Sequence, residues 1–323
     1  MRYWEKILKL SVIITVLSAC STAFPAESKV VKVLAVGNSF SMNANTFREQ
    51  LNKAEPEYNL QVTNAYIGGC SFEKHITLAL QNEAEPENPK FKQYKNPQFM
   101  PEGYYGLKEI LLSAKWKYIT IQQVSDKSDD ISSFHPHASN LCNFIKKYCP
   151  DAEIIIHETW ADRVDNPRMK PKNKTQESMY RNLNAAYSTI AEELGKLRII
   201  PVGDAFQAVR MRPDFKFTPD EKFDSKNAVW PALPDQTHAL CIGWIWKKDS
   251  KTGKNALIYD HHANQAGCFL AALVWRQFFF PDADVRKNTF RPDKVSESDA
   301  KILREAAYFT VTNKLKPSIT PKP

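Results

Sequence analysis

The chain has 323 residues, 25% of them charged and 43% hydrophobic, with a formal charge of +8. Such a composition excludes a disordered or fibrous chain and leaves ample apolar material for a buried core. The basic excess is modest and is not gathered into a Lys/Arg block or a nucleic-acid-binding motif, so no nucleic-acid partner is expected.

Arg2, Lys6 and Lys9 precede an apolar run from Leu10 to Leu17 and then small residues, the order of a secretory signal peptide over residues 1–19. That run is shorter than the roughly 20 residues a helix needs to cross a bilayer, and no later segment supplies one. The stretch Leu17-Ser18-Ala19-Cys20 resembles the lipobox of bacterial lipoproteins. The resemblance implies a diacylglycerol on Cys20, a short linker over 20–29, and an exported lipoprotein of the periplasm, outer membrane or cell surface that touches the membrane through its anchor alone. Cleavage after Phe24-Pro25-Ala26 is the alternative and would release a soluble protein.

From Val30 to Val36 the chain is β-branched and apolar on both faces, as in a strand buried within a parallel sheet. Further strands are expected at 60–66, 118–122, 153–157 and 198–202, and helices at about 44–53, 72–82, 136–148 and 175–194. Alternation of this kind predicts one α/β domain over 30–313 with three α/β/α layers around a mostly parallel sheet. Residues 83–103 and 211–255, rich in Pro and aromatics, break the rhythm and read as loop insertions that could wall a cleft. The tail 314–323 is rich in Pro and Lys and is expected to be disordered. Five cysteines follow Cys20 and none forms a CxxC pair, which argues against structural zinc. Cys142 and Cys149 read as small hydrophobes, with a bridge between them as the alternative.

Strand one runs straight into Gly37-Asn38-Ser39, and the carboxyl end of such a strand is where open α/β sheets place their ligand sites. Gly37 permits a tight turn, and the turn can aim backbone N–H groups at a developing oxyanion. Far along the chain, Asp260-His261-His262 precedes an apolar helix from Cys268 to Phe280. Residues i and i+2 of an extended segment point the same way, so Asp260 can orient His262 toward a serine from strand one.

These blocks resemble the SGNH (GDSL-like) hydrolases, which open on Gly-Asp/Asn-Ser and close on Asp-x-x-His followed by a glycine and a helix. Gly37-Asn38-Ser39 is similar to the first block, and His262 with Gly267 to the last. A bacterial branch known only as a domain of unknown function is closer still, through Gly37 to Ser41, Ile67-Gly68-Gly69-Cys70-Ser71, Ile119-Thr120-Ile121-Gln122-Gln123 and His157-Glu158-Thr159-Trp160. The resemblance implies a flavodoxin-like strand order, Ser39 as nucleophile and His262 as base. It also implies an oxyanion hole from the N–H groups of Ser39 and Gly69 and a side-chain amide after the third strand. Most relatives supply that amide from Asn; here Gln123 is the candidate and Gln122 the second. Asn38, Gln122, His157 and Trp160 are expected to line the cleft.

The acid departs from the family pattern, since Tyr259 stands three before His262 and Asp260 only two. Either Asp260 orients the base from a shortened loop, or Ser39 and His262 act as a dyad. Asp235-Gln236-Thr237-His238 has the literal spacing and is the runner-up. His135, His137, His157, His261 and Asp260 suit a metal by type, but no ligand frame such as HExxH joins them, so no metal or other cofactor is expected. The acidic motifs of DHH phosphoesterases do not accompany Asp260-His261-His262. The resemblance thus implies a serine-dependent esterase acting through an acyl-enzyme on a small-molecule or glycan ester, a carbohydrate acetyl ester above all. The rivals are a non-catalytic glycan-binding surface lipoprotein on the same fold and a metal-dependent hydrolase.

Overall fold

The computed structural model describes residues 28–315; the leader, Cys20, most of the linker and the end of the tail lie outside them. Strand β1 (Lys29–Gly37) alternates its side chains between two apolar clusters. Val33 and Ala35 enter one and Leu34 and Val36 the other, all four at most 1% exposed. The chain continues through α1 (Ser39–Ala44), α2 (Arg48–Ala54), β2 (Tyr58–Tyr66) and α3 (Phe72–Ala84), then a small hairpin of β3 (Tyr94–Lys95) and β4 (Tyr104–Tyr105). Next come α4 (Leu107–Leu112), β5 (Tyr118–Ile121), α5 (His137–Tyr148), β6 (Glu153–His157), α6 (Gln176–Glu193), β7 (Ile199–Ile200) and α7 (Val202–Arg210). A ribbon of β8 (Cys241–Lys248) and β9 (Asn255–Ala263) leads to α8 (Gln265–Phe279) and α9 (Glu297–Leu315).

Five parallel strands form the central sheet in the order β2-β1-β5-β6-β7. This is the expected flavodoxin-like order, and the expected α/β/α layering holds. One cluster packs Phe40 of α1, Leu51 of α2 and the apolar faces of α7, α8 and α9 against the sheet. The other packs α3, α4, α5 and α6 on the opposite face. Helix α8 is buried at every position from Gly267 to Phe279, including Arg276. The Arg276 guanidinium pairs with Glu55 at 2.8 Å and donates to the carbonyls of Tyr58 and Glu55, which offsets the cost of its burial.

The second insertion differs from expectation. Residues 241–248 of the second insertion are strand, not loop, because Trp244, Ile245 and Trp246 pair with Tyr259, Ile258 and Leu257 of an equally β-prone run across the connection 249–254. Trp244 meets Tyr259 edge-on at 5.2 Å. Asp260 and His262 therefore stand on a paired strand rather than in an unpaired loop. Helix α9 runs through Leu315, into the segment expected to be disordered, and Lys314 pairs with Asp204 at 2.5 Å. The five described cysteines are all free, so Cys142 and Cys149 are not bridged. No described helix is long and apolar enough to cross a membrane.

Candidate active site

Ser39 is the first residue of α1, at the point where the sheet's strand order reverses around β1. Asn38 caps that helix, its Oδ1 accepting the Phe40 N–H at 3.1 Å while its Nδ2 donates to the Cys70 carbonyl at 3.0 Å. Gly37 is tight for a side chain, since an added Cβ would lie 3.0 Å from both the Gln122 side chain and Ser41 Oγ. The turn is therefore fixed from below by packing and from above by the cap.

His262 reaches this serine from β9, with Nε2 2.8 Å from Ser39 Oγ and Nδ1 2.6 Å from Asp260 Oδ1. The same Asp260 oxygen accepts the His262 backbone N–H at 2.9 Å. Those bonds, the ring bond first, hold the Asp260 carboxyl down at about 2. Asp260 is thus ionised and can only accept, which places a proton on Nδ1 and leaves Nε2 to accept from the Ser39 hydroxyl.

A bulge accounts for the two-residue spacing. Cys241 pairs with Ala263 and Gly243 with Asp260, so β9 carries one residue more than β8 just where His261 and His262 stand. Bulges bend a strand and re-aim its side chains. Here the two imidazoles, which a regular strand would send to opposite faces, stack at 4.5 Å. Gly243 sits opposite at φ +74, and a Cβ there would lie 2.1–2.2 Å from the Arg163 guanidinium. Arg163, held by Asp165, also donates to Gln236 at 2.8 Å, and Gln236 in turn binds both backbone groups of Trp244. Arg163 and Gly243 escaped the sequence reading, and Gln236 entered it only within the Asp235-to-His238 block, although a lone glycine inside a strand pattern is the usual mark of a bulge or a close approach.

The groups expected to face an oxyanion are placed differently from one another. The N–H groups of Ser39 and Gly69 have no acceptor among the described residues, and Gly69 stands exposed at φ +60 beyond β2. The Gln123 amide is a correction: it is fully buried, its Oε1 accepting from Phe72 and Val124 and its Nε2 donating to Ser133. Gln122 is committed too, donating to Asn38 Oδ1 at 2.7 Å and accepting at 2.5 Å from His157 Nδ1. Both amides serve the turn under Ser39, since neither is solvent-accessible. Ser125, also beyond β5, instead places its hydroxyl 3.4 Å from His261 Nε2.

Asn38, Gln122, His157 and Trp160, expected to line a cleft, are all 0–1% exposed and packed beneath the Ser39 turn instead. Burial pushes His157 down to about 3, so it stays neutral against Trp275. Trp160 stacks on Phe206 at 4.6 Å and touches Phe40. His238 is not joined to Ser39; it pairs with Asp299 at 3.4 Å, while Asp235 caps its own turn. His135 pairs with Glu193, away from His157. Asp260, His261 and His262 alone among the described residues bring three potential metal ligand atoms within 4.8 Å of one another. Two of the three are already joined to each other, and His262 also to Ser39.

The family described as Domain of unknown function (DUF4886) matches residues 32–220, more than half of the chain. The chain belongs to the DUF4886 family. That match takes in Ser39, Gly69 and both glutamines, and stops short of β8 and β9. A solved DUF4886 protein from Bacteroides uniformis is similar at 23% identity and a TM-score of 0.64, over 89% of this chain and 97% of that one, which shows the shared fold. More distant likenesses are an acetylxylan esterase, Axe2, from Geobacillus stearothermophilus (13% identity, TM-score 0.38, 82% and 97% covered) and a lipolytic G-D-S-L family member from Veillonella parvula (13%, 0.38, 77% and 97%). No curated protein matches the sequence.

Proposed function

We propose that this DUF4886 protein is an SGNH-type serine esterase that removes an acyl group, acetyl above all, from a carbohydrate. The observation that carries the reading is the Ser39–His262–Asp260 chain of hydrogen bonds at 2.8 and 2.6 Å at the carboxyl end of β1. In the first step His262 Nε2 takes the Ser39 proton as Oγ attacks the ester carbonyl. The Ser39 and Gly69 N–H groups face the developing oxyanion, and the imidazolium returns its proton to the departing sugar oxygen. Water, deprotonated by the same nitrogen, then hydrolyses the acyl-serine. Asp260 stabilises the imidazolium without taking a proton, in keeping with its low pKa.

Hydrolysis of p-nitrophenyl acetate and of an acetylated oligosaccharide tests this. Wild type releases acetate, and Ser39→Ala and His262→Ala fall to background while remaining folded. Equal behaviour of all three sinks the serine mechanism; no turnover by wild type with glycan binding retained favours the binding lipoprotein. The cluster of Asp260, His261 and His262 keeps a metal reading in play, and it is tested by EDTA, which leaves the rate unchanged if the serine mechanism holds. Export and the lipid anchor at Cys20 belong to the same proposal. Fatty-acid labelling that disappears in Cys20→Ala is the expected result.

A further inference from the structure

A cavity of about 690 Å³ begins at Asn43, one turn beyond Ser39 on α1, and at Ala263, the residue after His262. It is far larger than an acetyl group requires and falls in the size range of sites for whole organic ligands. Its walls combine carboxamides and hydroxyls, among them Gln236, Thr237 and Gln265, with the rings of Phe47 and Phe215. Hydroxyl-rich rings with apolar faces suit such walls.

His238 stands at the far end, in the left-handed region at φ +58, its ring stacked on Phe215 at 4.7 Å and its Nε2 3.4 Å from Asp299. His238 and Ala239 also line a second cavity of about 360 Å³, so the two hollows meet there. Arg163, Arg210 and Lys216 line the second cavity beside Phe217, and no carboxylate does. Asp165 neutralises Arg163. The Arg210 guanidinium is held by the Ala161 carbonyl at 2.9 Å and the Cys241 sulfur at 3.6 Å, with the Asp162 carboxyl near it but outside ion-pair distance, and Lys216 has no ion-pair partner among the described residues. A planar guanidinium held in place and an unpaired ammonium on the wall of the same cavity suit a carboxylate.

We propose that the two cavities form one binding trough for an acidic oligosaccharide, whose sugar chain lies along Asn43 and His238 and whose carboxylate sits between Arg210 and Lys216. The proposal rests on the esterase reading for the end of the chain that meets Ser39, and it names the substrate class as carboxylate-bearing glycan esters.

The test is calorimetric titration of full-length Ser39→Ala, which cannot turn over an ester by the proposed route. The probes are an O-acetylated tetragalacturonate and an O-acetylated xylotetraose. The acidic probe is expected to bind about tenfold tighter or more, the effect of one charge-assisted hydrogen bond, and added salt weakens it. Arg210→Gln with Lys216→Gln removes that preference, and His238→Ala weakens both probes. Equal affinity for the two probes, or a preference that survives the double change, overturns the proposal. Should Arg210→Gln fail to fold, Lys216→Gln alone, at an exposed position, must reduce the preference, and its failure to do so counts against the trough. Turnover of p-nitrophenyl acetate by wild type decides the esterase reading separately, so either idea can fail while the other stands.

Discussion

At the scale of single residues, Asp260 bonds both the ring and the backbone of the histidine two places on, so it sets that ring's tautomer and its direction together. Asp260→Asn keeps the shape but can offer a donor where an acceptor is needed. The expected result is a fall in kcat of up to ~10⁴-fold with little change in KM. A dyad mechanism instead predicts a small loss, so steady-state kinetics separate the two. Gly243 is the second test. Gly243→Ala drives a methyl into the Arg163 guanidinium at a left-handed backbone position. It should cost about 1–3 kcal/mol of stability and disorder the bulge, lowering kcat in variants that remain folded at the assay temperature.

At the scale of elements, the strands that lead to Ser39 and Gly69 were legible because local pattern decides them, whereas α1 was not: the first helix was expected at about 44–53 and starts at Ser39. β1 is apolar on both faces and the helices after β2, β5 and β6 repeat with helical period, so burial and periodicity agree. The ribbon was not legible, since Trp244 and Tyr259 reveal themselves as strand partners only when paired across a turn. Gln123 was misassigned for a related reason. Its place after β5 fits an oxyanion donor, and only packing shows that Phe72, Val124 and Ser133 already use its amide. Helix α8 supplies a prediction of its own. Arg276→Ala leaves Glu55 and two carbonyls without their buried partner and is expected to destabilise the fold by about 3–5 kcal/mol in urea unfolding.

At the scale of the whole molecule, the C-terminal helix is tied to the sheet through a buried acidic group. Glu158 and Asp204 lie together, bridged by Asn184, with Lys314 of α9 on Asp204. Burial, then the neighbouring Asp204, pushes the Glu158 carboxyl up to about 8 from its ordinary 4.5. Between those values the folded state holds a proton that the unfolded chain has released, so stability falls as pH rises through this window. Thermal melts from pH 5 to 9 should therefore show a decline that Glu158→Gln flattens, with the variant gaining most above pH 8. An unchanged slope would mean that another group governs it.

The bond between Ser39 and His262 joins residues 223 apart in sequence. Closing so long a loop costs entropy before any contact rewards it, and chains that depend on such contacts fold slowly. The Ser39 turn can form early, from β1, β2 and β5, but His262 arrives only after the ribbon has been made and docked. A chain still emerging from the ribosome therefore carries Ser39 without His262, and refolding experiments should recover native β-sheet signal before they recover the proposed esterase activity.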